Sequence, residues 1–429
     1  MRLITLLSIA AASLSLLFAA SRPRYGGILR VQLRAVVHSL DPSERLSDPL
    51  EAAAKEQIVS QVFETLVRLN DKGEPQPHLA ISWKLDAAKK SWAFTPRPKV
   101  TWQNGVPWQP NGGVILVPAD RPIEDILRDL ARPKNAIVAR SNEGNLLGTG
   151  PFRIHQFEPG KSVVLTAYDG HWAGRSFLDT VEIQLGRSFR EQSLDFDLGK
   201  VDVSEIPLAD LRRAQQRNGK VAVSAPLENL ALIFDRDRPV PDPIREAIAL
   251  TLDRAAIRNV LLQKTGEANA SLLPRWLSGY SFVFRTERDL ARAKQLAAGA
   301  QPVSFAYDKQ DALSRAIAER VSLNASEGGI TLKPATGPAQ LKLTALRVTM
   351  PDAYLALDEI ATSLGVPPQR GFGAYERERA MLDAHRVIPV VQLSALHRLG
   401  MRVQGWLNAP WVAIDRWQLA NVWLGDERP

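Results

Sequence analysis

The 429-residue sequence contains no cysteine. That absence excludes disulfide staples, thiolate nucleophiles, iron–sulfur clusters and cysteine-type zinc sites. It also removes the residue a lipoprotein anchor needs. Histidine is scarce, six in all, with no HExxH and no close pair, so no metal and no cofactor is expected. No third glycine follows Gly148-Thr149-Gly150 at the spacing a dinucleotide fingerprint requires, and there is neither a P-loop nor a GxSxG. No pair of carboxylates is singled out by its context, so the chain does not read as an enzyme. Lysine and arginine number 54 against 46 acids, a net +8, but no basic run gathers that excess. Nucleic acid is therefore not an expected partner. One long apolar run exists, Leu3 to Ala20, which excludes a polytopic membrane protein. There is no internal repeat and no low-complexity tract.

What remains is an ordinary globular composition, 45% hydrophobic and 23% charged. At roughly 150 residues per domain, two or three domains are expected. Residues 1–21 read as a cleavable signal peptide: a basic start at Arg2, an apolar core, then Ala19-Ala20-Ser21 before Arg22-Pro23-Arg24. The other reading is an uncleaved anchor, for which the run is short. A leader without a lipid site points to the periplasm.

Past the leader, apolar alternation in Ile28 to Leu33 predicts a strand, and Leu40-Asp41-Pro42 a turn. Three- and four-residue spacing predicts a helix from Glu51 to Leu69. Short strands follow at 80–83, 92–95, 100–102 and 114–117, with a helix over 123–131. Gly148 to Pro151 is a structural turn before a hairpin centred on Glu158-Pro159-Gly160. From residue 229 strands and helices alternate, with Pro243 to Leu262, Asp311 to Ala325, Tyr354 to Leu364 and Tyr375 to His385 helical. The pattern is α/β, in two lobes.

Several motifs in order resemble the extracellular solute-binding protein family 5, the periplasmic oligopeptide-, dipeptide- and nickel-binding type. They are Gly26 to Val31 with Ser39-Leu40-Asp41-Pro42, Gln57 to Leu69, Gly73 to Trp83, Phe94 to Trp108, Gly148 to Phe152 with Phe157 to Gly160, and Gly170-His171-Trp172 with Leu178-Asp179. Gly199 to Asp202, Pro243 to Arg254, Leu272-Leu273-Pro274 and Arg386 to Val391 continue the series. The resemblance implies a two-lobed periplasmic-binding-protein type II-like fold with a discontinuous lobe I. Its boundaries would be 22–228 for lobe I, 229–392 for lobe II and 393–429 for the return to lobe I, with crossings near Glu228–Phe234 and Val391–Leu396. It implies a monomeric receptor that hands a small molecule or short peptide to an ABC permease. A degenerate member with a sensory or protein-interaction role is the alternative, and a secreted hydrolase the least favoured.

Two departures from the family pattern bear on the ligand. The stretch around 109–140 is short, so the family's extra subdomain should be reduced. In the family's "GWxxDyxdP" stretch, whose Asp pairs with a peptide's ammonium, Leu346 stands at the Trp and Thr349 at that Asp. Unless Asp352 substitutes, a free amine lacks its carboxylate, and Arg347 turns the expectation toward an anionic ligand. Peptide, sugar and opine-like solutes remain open. His38, Trp102, Trp276, Tyr280, Arg347, Thr349 and Asp352 are the expected ligand contacts. His38, the aromatics and Asp352 also have plainer readings: surface histidine, core or rim aromatic, helix cap. Trp108 is weighed the same way, and Arg245 reads as a structural ion-pair residue.

Overall fold

The computed structural model describes residues 22–44, 46, 48–216, 219–280, 284–367, 372–406 and 417–426. The proposed leader, residues 1–21, lies outside the described residues. Ten strands form one continuous sheet, numbered here in chain order: β1 (Ile28–Gln32), β2 (Phe152–Glu158), β3 (Ser162–Ala167), β4 (Thr180–Gln184), β5 (Val203–Glu205), β6 (Lys220–Phe234), β7 (Val303–Ala306), β8 (Leu332–Pro334), β9 (Leu341–Arg347) and β10 (Val387–Leu399). Their spatial order is β8-β7-β9-β6-β10-β5-β1-β4-β3-β2. The principal helices are α1 (Pro49–Val59), α2 (Ile123–Leu130), α3 (Phe189–Asp197), α4 (Asp242–Thr251), α5 (Ala312–Glu327), α6 (Ala353–Ser363) and α7 (Ala374–Asp383).

Two hydrophobic cores sit at opposite ends of this sheet, so the molecule has two lobes. The first gathers Leu29, Val31, Val163, Leu165, Val181 and Ile183 from alternate positions of β1, β3 and β4. Trp406, Trp417, Leu419 and Val422 from the far end of the chain complete it. The second gathers Leu232, Phe305, Leu341 and Val390 under α4 and α5, with Ile248 and Val321 facing them. Each side chain of this kind removed from water contributes about 1.5–3 kcal/mol, so each lobe has the apolar mass to be a folding unit.

The long strands β6 and β10 run through both halves. Leu230 to Ile233 of β6 pair with β9 and with Val387–Val391 of β10. At the other end Lys220–Val223 pair with Leu396–Leu399, and His397–Leu399 with β5 of the first lobe. Between these stretches the β6–β10 register shifts twice, between Val223 and Pro226 and between Pro226 and Glu228. Proline at 226 has no N–H to give, so the ladder is weakest where the two halves join.

A third, smaller core packs three antiparallel strands, Ala80–Asp86, Ser91–Pro96 and Ile115–Pro118, against α2 through Phe94, Val100, Trp108, Ile126 and Leu127. Trp108 is core here, only 8% exposed. Residues 109–140 supply the third strand and α2, and with them they close this small sheet.

The predicted helix from Glu51 to Leu69 ends at Val59. Its later apolar residues serve different cores: Val62 and Phe63 join the first lobe, and Leu66, Val67 and Leu69 the small subdomain. The break is held by the Gly148–Pro151 turn, where Gly150 N donates to Val62 O at 3.0 Å and Phe152 N to Gln61 O at 3.1 Å. A Cβ on Gly148 would lie 1.9 Å from Val62 O, so only glycine allows that approach. The helix expected over Pro243 to Leu262 likewise stops at Thr251, and residues 257–261 form a π-helical turn. The strand expected over 100–102 is a single bridge, Thr101 to Pro107.

Candidate ligand-binding site

The lobes meet along a seam between α1 and α2 on one side and the β9–α6 connection on the other. α1 packs against β9. Asp352 caps α6, its Oδ1 accepting from Leu355 N at 2.9 Å. Its Oδ2 accepts from Arg128 Nε of α2, also at 2.9 Å. Asp352 is 8% exposed, so this charge-assisted bond across the lobes is well shielded from solvent. Arg128 also stacks over Tyr354, its guanidinium carbon 5.1 Å from the ring centre. Below this contact Met350 and Leu355 enter the small subdomain's core beside Leu66 and Phe94. Gly73 completes the closure, since a Cβ there would lie 2.1 Å from Pro351 O.

Further along, Thr349 Oγ1 donates to Glu359 Oε2 at 3.0 Å, and Arg132 Nη2 lies 3.7 Å from Glu359 Oε1. Burial, and then the Glu56 carboxylate on α1, push Glu359 above the usual carboxylate range. Its side chain keeps 22% exposure, so it lies at the edge of the seam rather than beneath it. The position that lost an acid at Thr349 therefore has one after all, supplied by α6. The arrangement sets the Asp352 and Glu359 carboxyls of one lobe against the Arg128 and Arg132 guanidiniums of the other.

Residues 117–362 match the bacterial extracellular solute-binding proteins, family 5, in that family's middle region. The chain belongs to this family. Among family 5 relatives, the peptide transport periplasmic protein SapA of Salmonella typhimurium is 29% identical over 133 residues, 30% of this chain and 24% of SapA. By sequence the chain thus spans about a quarter of that relative. By structure the likeness is whole. The oligopeptide-binding protein AppA of Bacillus subtilis, solved with a nonapeptide, superposes with a TM-score of 0.77 at 15% identity, covering 94% of this chain and 100% of that one. NikA of Staphylococcus aureus, solved with Ni(L-His)2, gives 0.76 at 14% identity, covering 90% and 97%. The shared fold is the two-lobed one. Their cargoes differ widely, so the fold alone does not select a ligand.

Within this family 5 fold the expected contacts separate into four places. Arg347, Thr349 and Asp352 lie together on the seam, Arg347 at the end of β9 opposite Glu228 of β6. His38 lies near the start of α1, where Glu51 Oε1 accepts from its backbone N–H at 2.8 Å and lies 2.9 Å from its Nδ1. Trp276 and Tyr280 belong to the second lobe. Trp276 Nε1 donates to Pro226 O at 2.8 Å, beside the register shift of β6. Tyr280 meets Tyr375 edge-on at 5.5 Å and faces Glu378 without closing a hydrogen bond to it. A cavity of about 550 Å³ opens nearby, lined by Arg258, Glu267, Asn269, Arg275, Phe284 and Arg285. Trp102 is in the small subdomain, its carbonyl accepting from Tyr168 Oη at 2.8 Å. Arg245 is structural, donating to Val240 O and Ala384 O and pairing with Asp242 at 2.7 Å.

Sequence reasoning passed over Glu56, Arg128, Arg132 and Glu359. One signal was present: Glu359 follows Asp352 by seven residues, two helical turns, so a helix capped by Asp352 presents both on one face.

Proposed function

We propose that this protein is a solute receptor of an ABC importer, taking a peptide-like or other small polar solute between its two lobes and passing it to a membrane permease. The observation that carries this reading is the seam. Two lobes of a family 5 fold share two irregularly paired strands and meet across charged groups drawn from both. Such a junction is weak in the backbone and strong only when closed, which is what a ligand-gated hinge requires. We place the hinge at Val223–Glu228 and Leu393–Leu396, with residues 22–222 and the C-terminal return forming one jaw. Arg347, Thr349 and Glu359 are the groups we assign to the solute. The Glu359 carboxyl with the Arg132 guanidinium 3.7 Å away, and Arg347 on the same seam, suit a zwitterionic guest such as a short peptide better than a plain anion. No helix among the described residues is long and apolar enough to cross a membrane, and the leader-like residues 1–21 support action in the periplasm.

Thermal unfolding against a panel of short peptides, sugars and organic anions tests the reading. A solute at a hundred times its Kd stabilises by about 2.7 kcal/mol. A transition raised by one class, and not raised in Thr349→Ala with Glu359→Gln, is the expected result. A transition that no member of the panel moves would count against a receptor.

A further inference from the structure

The cavity of about 550 Å³ in the second lobe shares no described residue with the seam. Its described lining runs from Arg258 to Glu287, so one lobe is enough to form it. Its floor is fixed to β10. Glu267 exchanges two backbone hydrogen bonds with Gln392, each 2.9 Å, and Asn269 Nδ2 donates to Gln392 Oε1 at 3.0 Å. Gly266 runs so close to β10 that a Cβ there would lie 2.8 Å from Gln392 O, and its φ is +71°. One wall is apolar, with Phe284 against Tyr375 at 5.9 Å between ring centres. The volume is that of a small-molecule site, for which about 300–1,000 Å³ is usual.

The charges around this space are of both signs and do not neutralise one another. Arg258 donates from Nε to Gly266 O at 3.1 Å and from Nη1 to Asn259 Oδ1 at 3.4 Å, and pairs with no carboxylate among the described residues. The side chains of Arg285, Glu267 and Glu287 have no hydrogen bond or ion pair among the described residues. Arg275 also lines the cavity but has an interaction of its own. Elsewhere in this lobe such neighbours do pair, Arg288 with Asp253 at 3.6 Å and Arg292 with Glu246 at 3.7 Å. Opposite charges held apart around one space offer a guest donors and acceptors at once. A plain anion would leave two carboxylates facing its charge, and a plain cation two guanidiniums.

We propose that this cavity is a second binding site, taking a zwitterionic solute of amino-acid or dipeptide size, its carboxylate toward Arg258 and Arg285 and its ammonium toward Glu267 and Glu287. Guanidinium suits the carboxylate end because its paired N–H groups match the two oxygens. Because one lobe forms the site, it fills whether or not the seam is intact.

Equilibrium dialysis of the full chain against radiolabelled dialanine tests this. Arg285→Ala with Glu287→Gln should lose the binding, and Thr349→Ala with Glu359→Gln, the seam variant, should keep it. Circular dichroism verifies that both are folded, as expected for Arg285 and Glu287, which are exposed. N-acetyl-dialanine and dialanine amide each lack one charge and should compete about tenfold less well or worse. Binding lost in the seam variant and kept in the cavity variant would overturn this site and leave the receptor reading standing. Binding kept by both variants, equal competition by the two blocked peptides, or no binding to wild type up to about 10 mM would also overturn it.

Discussion

Two buried glutamates show how one side-chain type is driven in opposite directions. Glu64, 5% exposed, accepts from Thr149 Oγ1 at 2.8 Å and from Trp172 Nε1, and has His78 and His171 Nε2 each 3.2 Å away. Burial opposes its charge, but these donors outweigh it and hold the carboxyl down at about 2. A depressed acid stabilises the fold above its unfolded value of about 4.5 and loses that contribution as the pH falls toward 2. Glu64→Gln should therefore cost on the order of 3 kcal/mol at pH 7 and flatten the acid-unfolding curve below pH 4.5, as read by chemical denaturation at several pH values. Glu378 is fully buried and receives the Leu272 and Leu273 amides on Oε1, while Oε2 has no partner among the described residues. Burial pushes it up to about 7. A raised acid loses stability as the pH climbs from its unfolded value through 7. Glu378→Gln keeps an acceptor for both amides and can donate toward Tyr280. It should stabilise the protein by on the order of 2 kcal/mol at pH 8 and by little at pH 5, measured by the same denaturation series.

At the scale of elements, α6 joins stability to function through its cap. Asp352 supplies both the first-turn acceptor and the carboxylate for Arg128. Asn caps as well as Asp but carries no charge, whereas Ala does neither. Asp352→Asn should lower the unfolding free energy by about 1–3 kcal/mol through the charge lost opposite Arg128, and Asp352→Ala by about 1 kcal/mol more through the lost cap. Both should weaken solute binding in calorimetry, because both break the pair across the seam. Local periodicity made α6, α7 and the strands near 303, 341 and 387 legible in the sequence. It failed at residues 60–69, where apolar residues keep helical spacing although three of them belong to another core. The glycine turn that stops α1 lies almost ninety residues away, and periodicity does not see it. Pro389 is a related case: a proline inside a central strand is tolerated because β6 bulges opposite it and its carbonyl takes Arg254 Nε at 2.9 Å.

At the scale of the molecule, the ordered motifs made the two-lobed fold legible, because they follow one another along most of the chain. The seam was only half legible. Arg347, Thr349 and Asp352 fall in one motif, but Arg128, which pairs with Asp352, and Arg132, which approaches Glu359, lie more than 200 residues from those acids and carry no motif. Charges that meet only in the folded protein leave no local spacing to read. The proposed hinge has a more direct basis: the register shifts around Pro226 lie where two cores part company. A receptor of this kind requires movement between those cores. Since the chain has no cysteine, thiols introduced at exposed Lys84 on the first lobe's side and at Leu323 on α5, 50% exposed, would carry the only spin labels. Their separation, measured with and without the solute that raises the unfolding transition, should collapse from a broad distribution to a single shorter distance. A distribution unchanged by saturating solute would contradict a hinged receptor.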